Sequence, residues 1–326
     1  MSDWHLFHGK PTEPHDRIHD LPDPPSWRPS GELKADRQKR RAAAFQATAE
    51  QVEMVNAALY LRRPLLVTGN PGTGKTSLAY AVAEELKLGE VLYWPITTRT
   101  TLKDGLYSYD AIGRLQDTKL NDGDSPANAD RPSNLGQIGR YITLGPLGTA
   151  LFPSDRPRLL LIDEIDKSDL DLPNDLLHVF EEGSFQIPEL QRISSNQPDV
   201  EVQTVDGQTV NIDRGEVRCA AFPIVILTSN GERNFPAAFL RRCLRLEIRE
   251  PNRTTLRRIA IAHLGQESAA VADELIEVFL NKRDREQLAT DQLLNAIYLV
   301  MNSNPSEVDR DRLIKQLLQP LSGPGQ

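Results

Sequence analysis

Eight residues limit what this chain can be more than any others: Gly69-Asn70-Pro71-Gly72-Thr73-Gly74-Lys75-Thr76, placed directly after the apolar run Leu65-Leu66-Val67-Thr68. The run is short and ends at a glycine, and Ser77 to Leu86 is rich in helix formers, so the segment reads strand, loop, helix. Gly69, Gly72 and Gly74 allow successive backbone N–H groups to turn inward, and the positive end of the following helix adds its pull on an anion. Gly69, Asn70, Pro71, Gly72, Thr73, Gly74, Lys75, Thr76 and Ser77 therefore form a candidate phosphate cradle. Within it Lys75 reaches the β- and γ-phosphates of a nucleotide as a point charge, and the Thr76 hydroxyl is placed to ligate Mg²⁺. Average residue frequencies give this pattern by accident in about one chain of this length in a hundred. The flanking strand and helix make an accident rarer still.

Three further features expect to reach the same edge of a sheet. Leu159-Leu160-Leu161-Ile162 reads as a buried strand, and Asp163-Glu164 follow it at once. Carboxylates directly after four buried apolar residues are costly unless used. Asp163 can hold Mg²⁺ through water, and Glu164 is suited to polarise a water for attack on the γ-phosphate. Asp166 and Asp169 complete a charge cluster that a solvated acidic turn would also explain. Asn230 ends the run Ile224 to Ser229 and either orients that water or is a turn residue before Gly231. Arg241 and Arg242, after Phe239-Leu240, either stabilise charge developing on the γ-phosphate or lie on a solvated helix face.

With Val91-Leu92-Tyr93-Trp94 as a further strand, the alternation of strands and helical stretches predicts an α/β fold around a parallel sheet. Two segments interrupt it. Leu102 to Arg131, with Tyr107, Tyr109 and Ile112 before Asn121-Asp122-Gly123-Asp124, reads as an inserted hairpin or loop. Val200, Val202, Val210 and Ile212 alternate on either side of Asp206-Gly207, a hairpin expected to project from the sheet. Past Asn252 four helical stretches follow, 254–264, 269–282, 290–301 and 307–318, with apolar residues at three- and four-residue steps. Residues 1–33 are rich in proline and show no hydrophobic period, so they form a tail that cannot fold alone. A basic run, Lys34, Arg37, Lys39, Arg40 and Arg41, reads as a solvated helix face, or as a contact for phosphates or an acidic partner. Thr48 and Gln51 form a capping-box signature for the next helix.

Composition narrows the class. With 326 residues there is room for a large and a smaller domain, and a net charge of −8 argues against a general nucleic-acid coat. Cys219 and Cys243 have no metal-ligand neighbours and read as reduced thiols. The first residues lack a secretory pattern and no apolar stretch reaches about 18 residues, so a cytoplasmic address without a membrane span is expected.

In this order the motifs resemble those of AAA+ ATPases. "LGPLGTALF", "RLLLIDEIDKSDLDLPNDLLHVFEEGSF" and "LTSNGERNFPAAFLRRCL" resemble the MoxR-like branch, over roughly residues 45–320. The resemblance implies a P-loop core with a parallel five-stranded sheet and a C-terminal helical lid. It divides the chain into a disordered or extended tail (1–44), a nucleotide-binding domain (45–250) with inserts at about 102–131 and 184–221, and the lid (251–326). It implies ATP and Mg²⁺ as ligands and Glu164 as catalytic carboxylate, with Asn230 in the sensor 1 position. Arg242 best matches an arginine finger offered to the next subunit of a ring, usually a hexamer. Arg241 stands where many such proteins have an acidic residue, so either arginine is a candidate.

One departure concerns the lid. The stretch Ala289-Thr290-Asp291-Gln292-Leu293-Leu294 has no arginine where sensor 2 usually lies, which leaves Arg285 as a substitute.

The expected function is ATP-driven remodelling of a partner protein, as MoxR proteins are thought to do with partners bearing von Willebrand A domains. A nucleotide-controlled switch or scaffold of a bacterial conflict system is the second reading, and a DNA-associated motor the third. Thr97 to Thr101 lacks the aromatic residue that threading rings place near there, with Tyr107 and Tyr109 as substitutes. A small-molecule kinase fits least, because Glu164 suits hydrolysis.

Overall fold

The computed structural model describes residues 5–9, 12, 13, 15–28, 31, 34–122, 134–283, 286–303 and 307–320. The chain enters through α1 (Lys34–Ala44) and α2 (Ala49–Leu61), then runs through β1 (Leu65–Thr68), α3 (Lys75–Glu85) and β2 (Leu92–Pro95). Next come α4 (Leu102–Leu106), β3 (Tyr107–Tyr109), α5 (Ala111–Asp122), β4 (Ile142–Leu144) and α6 (Pro146–Leu151). β5 (Leu159–Asp163), α7 (Leu172–Glu182), β6 (Ser184–Gln186) and the one-turn α8 (Pro188–Gln191) lead to the hairpin β7 (Asp199–Thr204) and β8 (Thr209–Asp213). β9 (Glu216–Arg218), β10 (Ile224–Ser229), α9 (Ala237–Arg242) and β11 (Leu244–Glu247) follow, then α10 (Arg253–Leu264), α11 (Ala269–Arg283), α12 (Thr290–Ser303) and α13 (Glu307–Leu317). By internal contacts they fall into two compact units. One holds residues 48–68 and 82–247, the other 1–47, 69–81 and 248–326.

The first unit is built on the expected parallel five-stranded sheet, in the order β11-β1-β10-β5-β2. Its three central strands are apolar on both faces, and Leu65, Leu66, Leu160, Ile162 and Leu227 are at most 1% exposed, as a sheet covered on both sides requires. The fifth strand is β11. Its Leu-Arg-Leu-Glu alternation is too short and charged to stand out as an apolar run, yet suits an edge. Before β1, Thr48 Oγ1 accepts from the Gln51 N–H at 3.3 Å while Gln51 Oε1 accepts from the Thr48 N–H at 2.9 Å, the expected capping box on α2.

The interrupting segments differ from their expectation. Residues 102–122 are helix, strand, helix, and not a hairpin or loop. Thr101 caps α4, with the Asp104 carboxylate accepting the Thr101 N–H at 2.8 Å. Tyr107–Tyr109 finds its antiparallel partner in β4, which in turn lies parallel to β7, so both interrupting segments share one sheet, β3-β4-β7-β8. Nor is the hairpin a free projection, because Val200, Val202 and Ile212 are buried in the same core as Ile162 and Leu227. The alternating pattern identifies the strands, but three-residue pairings across distant segments leave no period to read. Residues 123–131 of the first segment lie outside the described residues.

Glycines explain the "LGPLGTALF" stretch. A Cβ on Gly148 would stand 1.9 Å from the Leu106 carbonyl oxygen, so only glycine lets α6 pass this close to the end of α4.

In the second unit α10, α11, α12 and α13 bury Leu256, Leu275, Ile276, Phe279, Leu293 and Ile297 in one cluster. Trp27 packs on that cluster, donates its Nε1–H to Asn295 Oδ1 at 3.2 Å, and meets His263 and Tyr298 edge to face. Ser26, bonded to His263 Nδ1 at 3.2 Å, and the Asp23 carbonyl, which accepts from the Tyr298 hydroxyl, help Trp27 to anchor this part of the proline-rich N-terminal segment. Among the described residues no helix is long and apolar enough to cross a membrane.

Candidate functional site

The glycine loop belongs to the unit containing the C-terminal helices, and its geometry is that of a cradle. Gly69, Gly72 and Gly74 have φ of 148°, 77° and 91°, values open to glycine and strained for other residues. Gly69 is further fixed by its neighbour, since a Cβ there would stand 2.4 Å from the Ile248 carbonyl oxygen. The Thr73 hydroxyl donates to the Asn70 carbonyl at 2.9 Å and tightens the turn. Lys75 is 8% exposed, and its ammonium donates to the carbonyls of Gly69 and Asn70 at 2.7 and 2.9 Å. Its charge is thus held at the loop's mouth by groups that a phosphate oxygen can replace. Thr76 and Ser77 lie in the first turn of α3, half-buried, and Pro71 is exposed at the tip.

Asn70 also connects the loop to the C-terminal helices. Its amide donates to Glu250 Oε1 at 2.7 Å, and Glu250 Oε2 pairs with Arg283 Nε at 3.1 Å. Arg283 further donates to the Pro251 carbonyl and lies over the Phe279 ring. Arg285, the expected sensor 2 substitute, lies outside the described residues. Arg283, two positions upstream, was not foreseen, because its partner Glu250 is distant in sequence.

In the other unit, the carboxyl edge of the sheet gathers the acidic residues. Thr68, the last residue before the glycine loop, is in register with Ser229. Next to it Thr228 Oγ1 donates to Asp163 Oδ1 at 2.5 Å and accepts the Glu164 N–H at 2.9 Å. Asp163 Oδ2 accepts from Tyr93 Oη at 3.1 Å. Glu164 adopts the left-handed conformation, φ 61° and ψ 46°, unusual for a residue with a side chain, and the Thr228 bond helps to hold it there. Its carboxylate meets the Lys167 ammonium at 2.6 Å. That hydrogen bond, more than the surrounding charges, holds the lysine above its ordinary pKa.

Asp166 gains a role that the sequence reading left as part of a charge cluster. It is 2% exposed, and its Oδ2 accepts the backbone N–H groups of both Asn230 and Glu232 at 3.0 Å. Asn230 ends its strand as expected, and its position is set by this buried carboxylate.

Arg241 and Arg242 close α9. Arg63 donates to the backbone carbonyls of both and so fixes the helix end. The side chains diverge: the half-buried Arg242 pairs with Glu181, whereas Arg241 is exposed with no ion pair among the described residues. Tyr107 does not serve as a surface aromatic, for it is 5% exposed and its hydroxyl donates to Glu189 Oε2 at 2.7 Å. Burial first, and Glu189 second, raise its pKa far above the usual phenol value. Tyr109 is half-buried and accepts a bond from Arg114. Both thiols are free, and burial pushes Cys243 up to about 12.

An α/β sheet with a glycine loop after its β1 strand and acidic residues after β5 defines a nucleotide-binding domain of the P-loop class. Residues 64–243, more than half of the chain, match the family described as AAA domain (dynein-related subfamily), and the chain belongs to that family. Membership makes it an AAA+ protein of the nucleotide-dependent ATPase kind. No curated protein gives a significant match.

Proposed function

We propose that the chain hydrolyses ATP within a ring of identical copies and uses the turnover to remodel a partner protein, as a member of the MoxR-like branch. The observation that carries the hydrolytic part is Glu164, held by its backbone at the end of β5 one residue past Asp163.

The residues divide the chemistry as follows. Lys75 exchanges its bonds to the Gly69 and Asn70 carbonyls for phosphate oxygens, while backbone N–H groups of residues 69–76 take the remaining ones. Mg²⁺, when bound, would neutralise charge on the phosphate oxygens. The Thr76 hydroxyl and the Asp163 carboxylate, acting through water, are hard oxygen donors suited to hold it. Glu164 exchanges Lys167 for the attacking water and accepts its proton. Asn230, positioned through Asp166, orients that water. Arg242 supplies positive charge to the neighbouring copy's γ-phosphate once released from Glu181, and the exposed Arg241 is the alternative finger.

Remodelling at a surface is favoured over threading, because Tyr107 is buried and the stretch Thr97 to Thr101 is polar. A partner with a von Willebrand A domain fits that reading. The Glu164–Lys167 pair supports a second reading, a slow nucleotide switch whose resting state keeps the base occupied. Fast, partner-stimulated turnover supports the remodeller, and slow turnover with ATP-dependent partner retention supports the switch.

The ring is tested by mixing. Arg242→Ala chains combined with Glu164→Gln chains recover activity if the finger acts across an interface. Absence of recovery, with the Arg241→Ala mixture equally silent, rules out a finger in trans.

A further inference from the structure

The run Ile224 to Leu227 is apolar, and the next residue, Thr228, breaks it with a side chain that is 1% exposed. A buried hydroxyl needs partners, and Thr228 finds two at the end of the neighbouring strand β5. Its Oγ1 accepts the Glu164 N–H at 2.9 Å and donates its one proton to Asp163 Oδ1 at 2.5 Å. Amide, hydroxyl and carboxylate form a chain in which each bond polarises the next. Asp163 Oδ2 accepts a further bond from Tyr93 of β2, so the carboxylate is held from the strands on both sides of β5.

Glu164 needs such a hold more than most residues. Consecutive residues of an extended strand send their side chains to opposite faces. Glu164 departs from that rule by turning left-handed, φ 61° and ψ 46°, a conformation costly for a residue with a Cβ. Its carboxylate partner Lys167 belongs to the same turn and cannot fix the turn against the sheet, whereas Thr228, on β10, can. We infer that Thr228 is a positioning residue for hydrolysis, whose hydroxyl sets the Glu164 backbone and the Asp163 carboxylate in one fixed relation. The inference rests on the reading of Glu164 as the base, and Thr228 acts only through these two residues. A methyl group in place of the hydroxyl fills the same volume, but leaves the Glu164 N–H without its acceptor and Asp163 Oδ1 without its donor.

The test compares, in the full chain, Thr228→Val, which keeps the volume and loses the hydroxyl, with Thr228→Ser, which keeps the hydroxyl and loses the methyl. In the nucleotide-free chain, hydrogen exchange at the Glu164 amide is expected to quicken about two- to tenfold in the valine variant, the factor that one neutral hydrogen bond corresponds to. The serine variant is expected to exchange as the parent does. With ATP and Mg²⁺, kcat is expected to fall about tenfold to a hundredfold in the valine variant with little change in KM, since misplacing a reacting group by about 1 Å costs up to about a hundredfold. Thr228→Ala, also without the hydroxyl, is expected to share both effects and serves if the valine variant does not fold. The serine variant is expected to recover most of kcat even though the lost methyl lowers its melting temperature. Unchanged exchange at the Glu164 amide, or kcat within about twofold of the parent while Glu164→Gln is impaired, overturns the role of Thr228 alone. A serine variant as slow as the valine variant assigns the effect to packing and overturns it too. Full turnover in Glu164→Gln overturns the reading of the base, and this inference with it.

Discussion

Replacing Asp166 offers a perturbation whose size follows from two bonds. Its Oδ2 accepts the N–H groups of Asn230 and Glu232 at 3.0 Å each, from a side chain 2% exposed. A hydrogen bond to a charged group contributes about 1.5 to 3 kcal/mol. Glu232 is exposed, so its N–H regains water once the bond is lost, and the lower end of the range applies to both. Asp166→Ala is therefore expected to cost about 3 kcal/mol, and Asp166→Asn, which keeps one neutral acceptor, about half of that. For a unit of 150–250 residues each kcal/mol moves Tm by about 2–4 °C, so the alanine variant melts about 6–12 °C lower. Thermal melts followed by circular dichroism read this directly. Because the carboxylate sets the Asn230 backbone, the asparagine variant is also expected to lose kcat with little change in KM for ATP. An alanine variant melting within about 2 °C of the parent refutes the reasoning, because the two bonds then contribute almost nothing.

Four other outcomes follow from the structure. Gly148→Ala puts a Cβ 1.9 Å from the Leu106 carbonyl oxygen and, by forcing α6 from α4, is expected to lower stability by about 1–3 kcal/mol, read in denaturant titration. Arg283→Ala removes the pair with Glu250 and the bond to Pro251, and is expected to lower Tm by a few degrees and weaken ATP binding; unchanged ATP affinity would show that the Asn70–Glu250–Arg283 chain has no part in holding nucleotide. Lys167→Ala frees the Glu164 carboxylate and is expected to raise basal turnover, measured by phosphate release, if their pairing restrains the resting state. Native Cys243 is expected to resist iodoacetamide at pH 8 and to react after unfolding, as mass spectrometry would show, because burial pushes its thiol up to about 12.

What the sequence disclosed and what it withheld divide along one physical line. Local patterns were legible: the glycine loop, the Leu159 and Ile224 strands, the capping box at Thr48 and the helices past Asn252 are each fixed by neighbours a few residues apart. Contacts between distant segments were not. The pairing of Tyr107–Tyr109 with Ile142–Leu144, the seat of Trp27 on the C-terminal helices, and the Asp166 carboxylate under Asn230 join residues 33 to 268 positions apart, with no period to announce them. Asp166 read as part of a solvated charge cluster because composition records a charge but not its burial. The pair Arg241-Arg242 was visible as a motif, yet only the fold shows that Glu181 engages one and leaves the other exposed.

The most direct test of the account is nucleotide binding and turnover in two single variants side by side, with ATP affinity from equilibrium titration and phosphate release from the same preparations. Lys75→Ala is expected to lose ATP binding. Glu164→Gln is expected to bind ATP as the parent does while its turnover falls about a hundredfold or more, the usual contribution of a positioned general base. Turnover in Glu164→Gln equal to that of the parent would contradict the assignment of Glu164 as the base and, with it, the proposed route of hydrolysis.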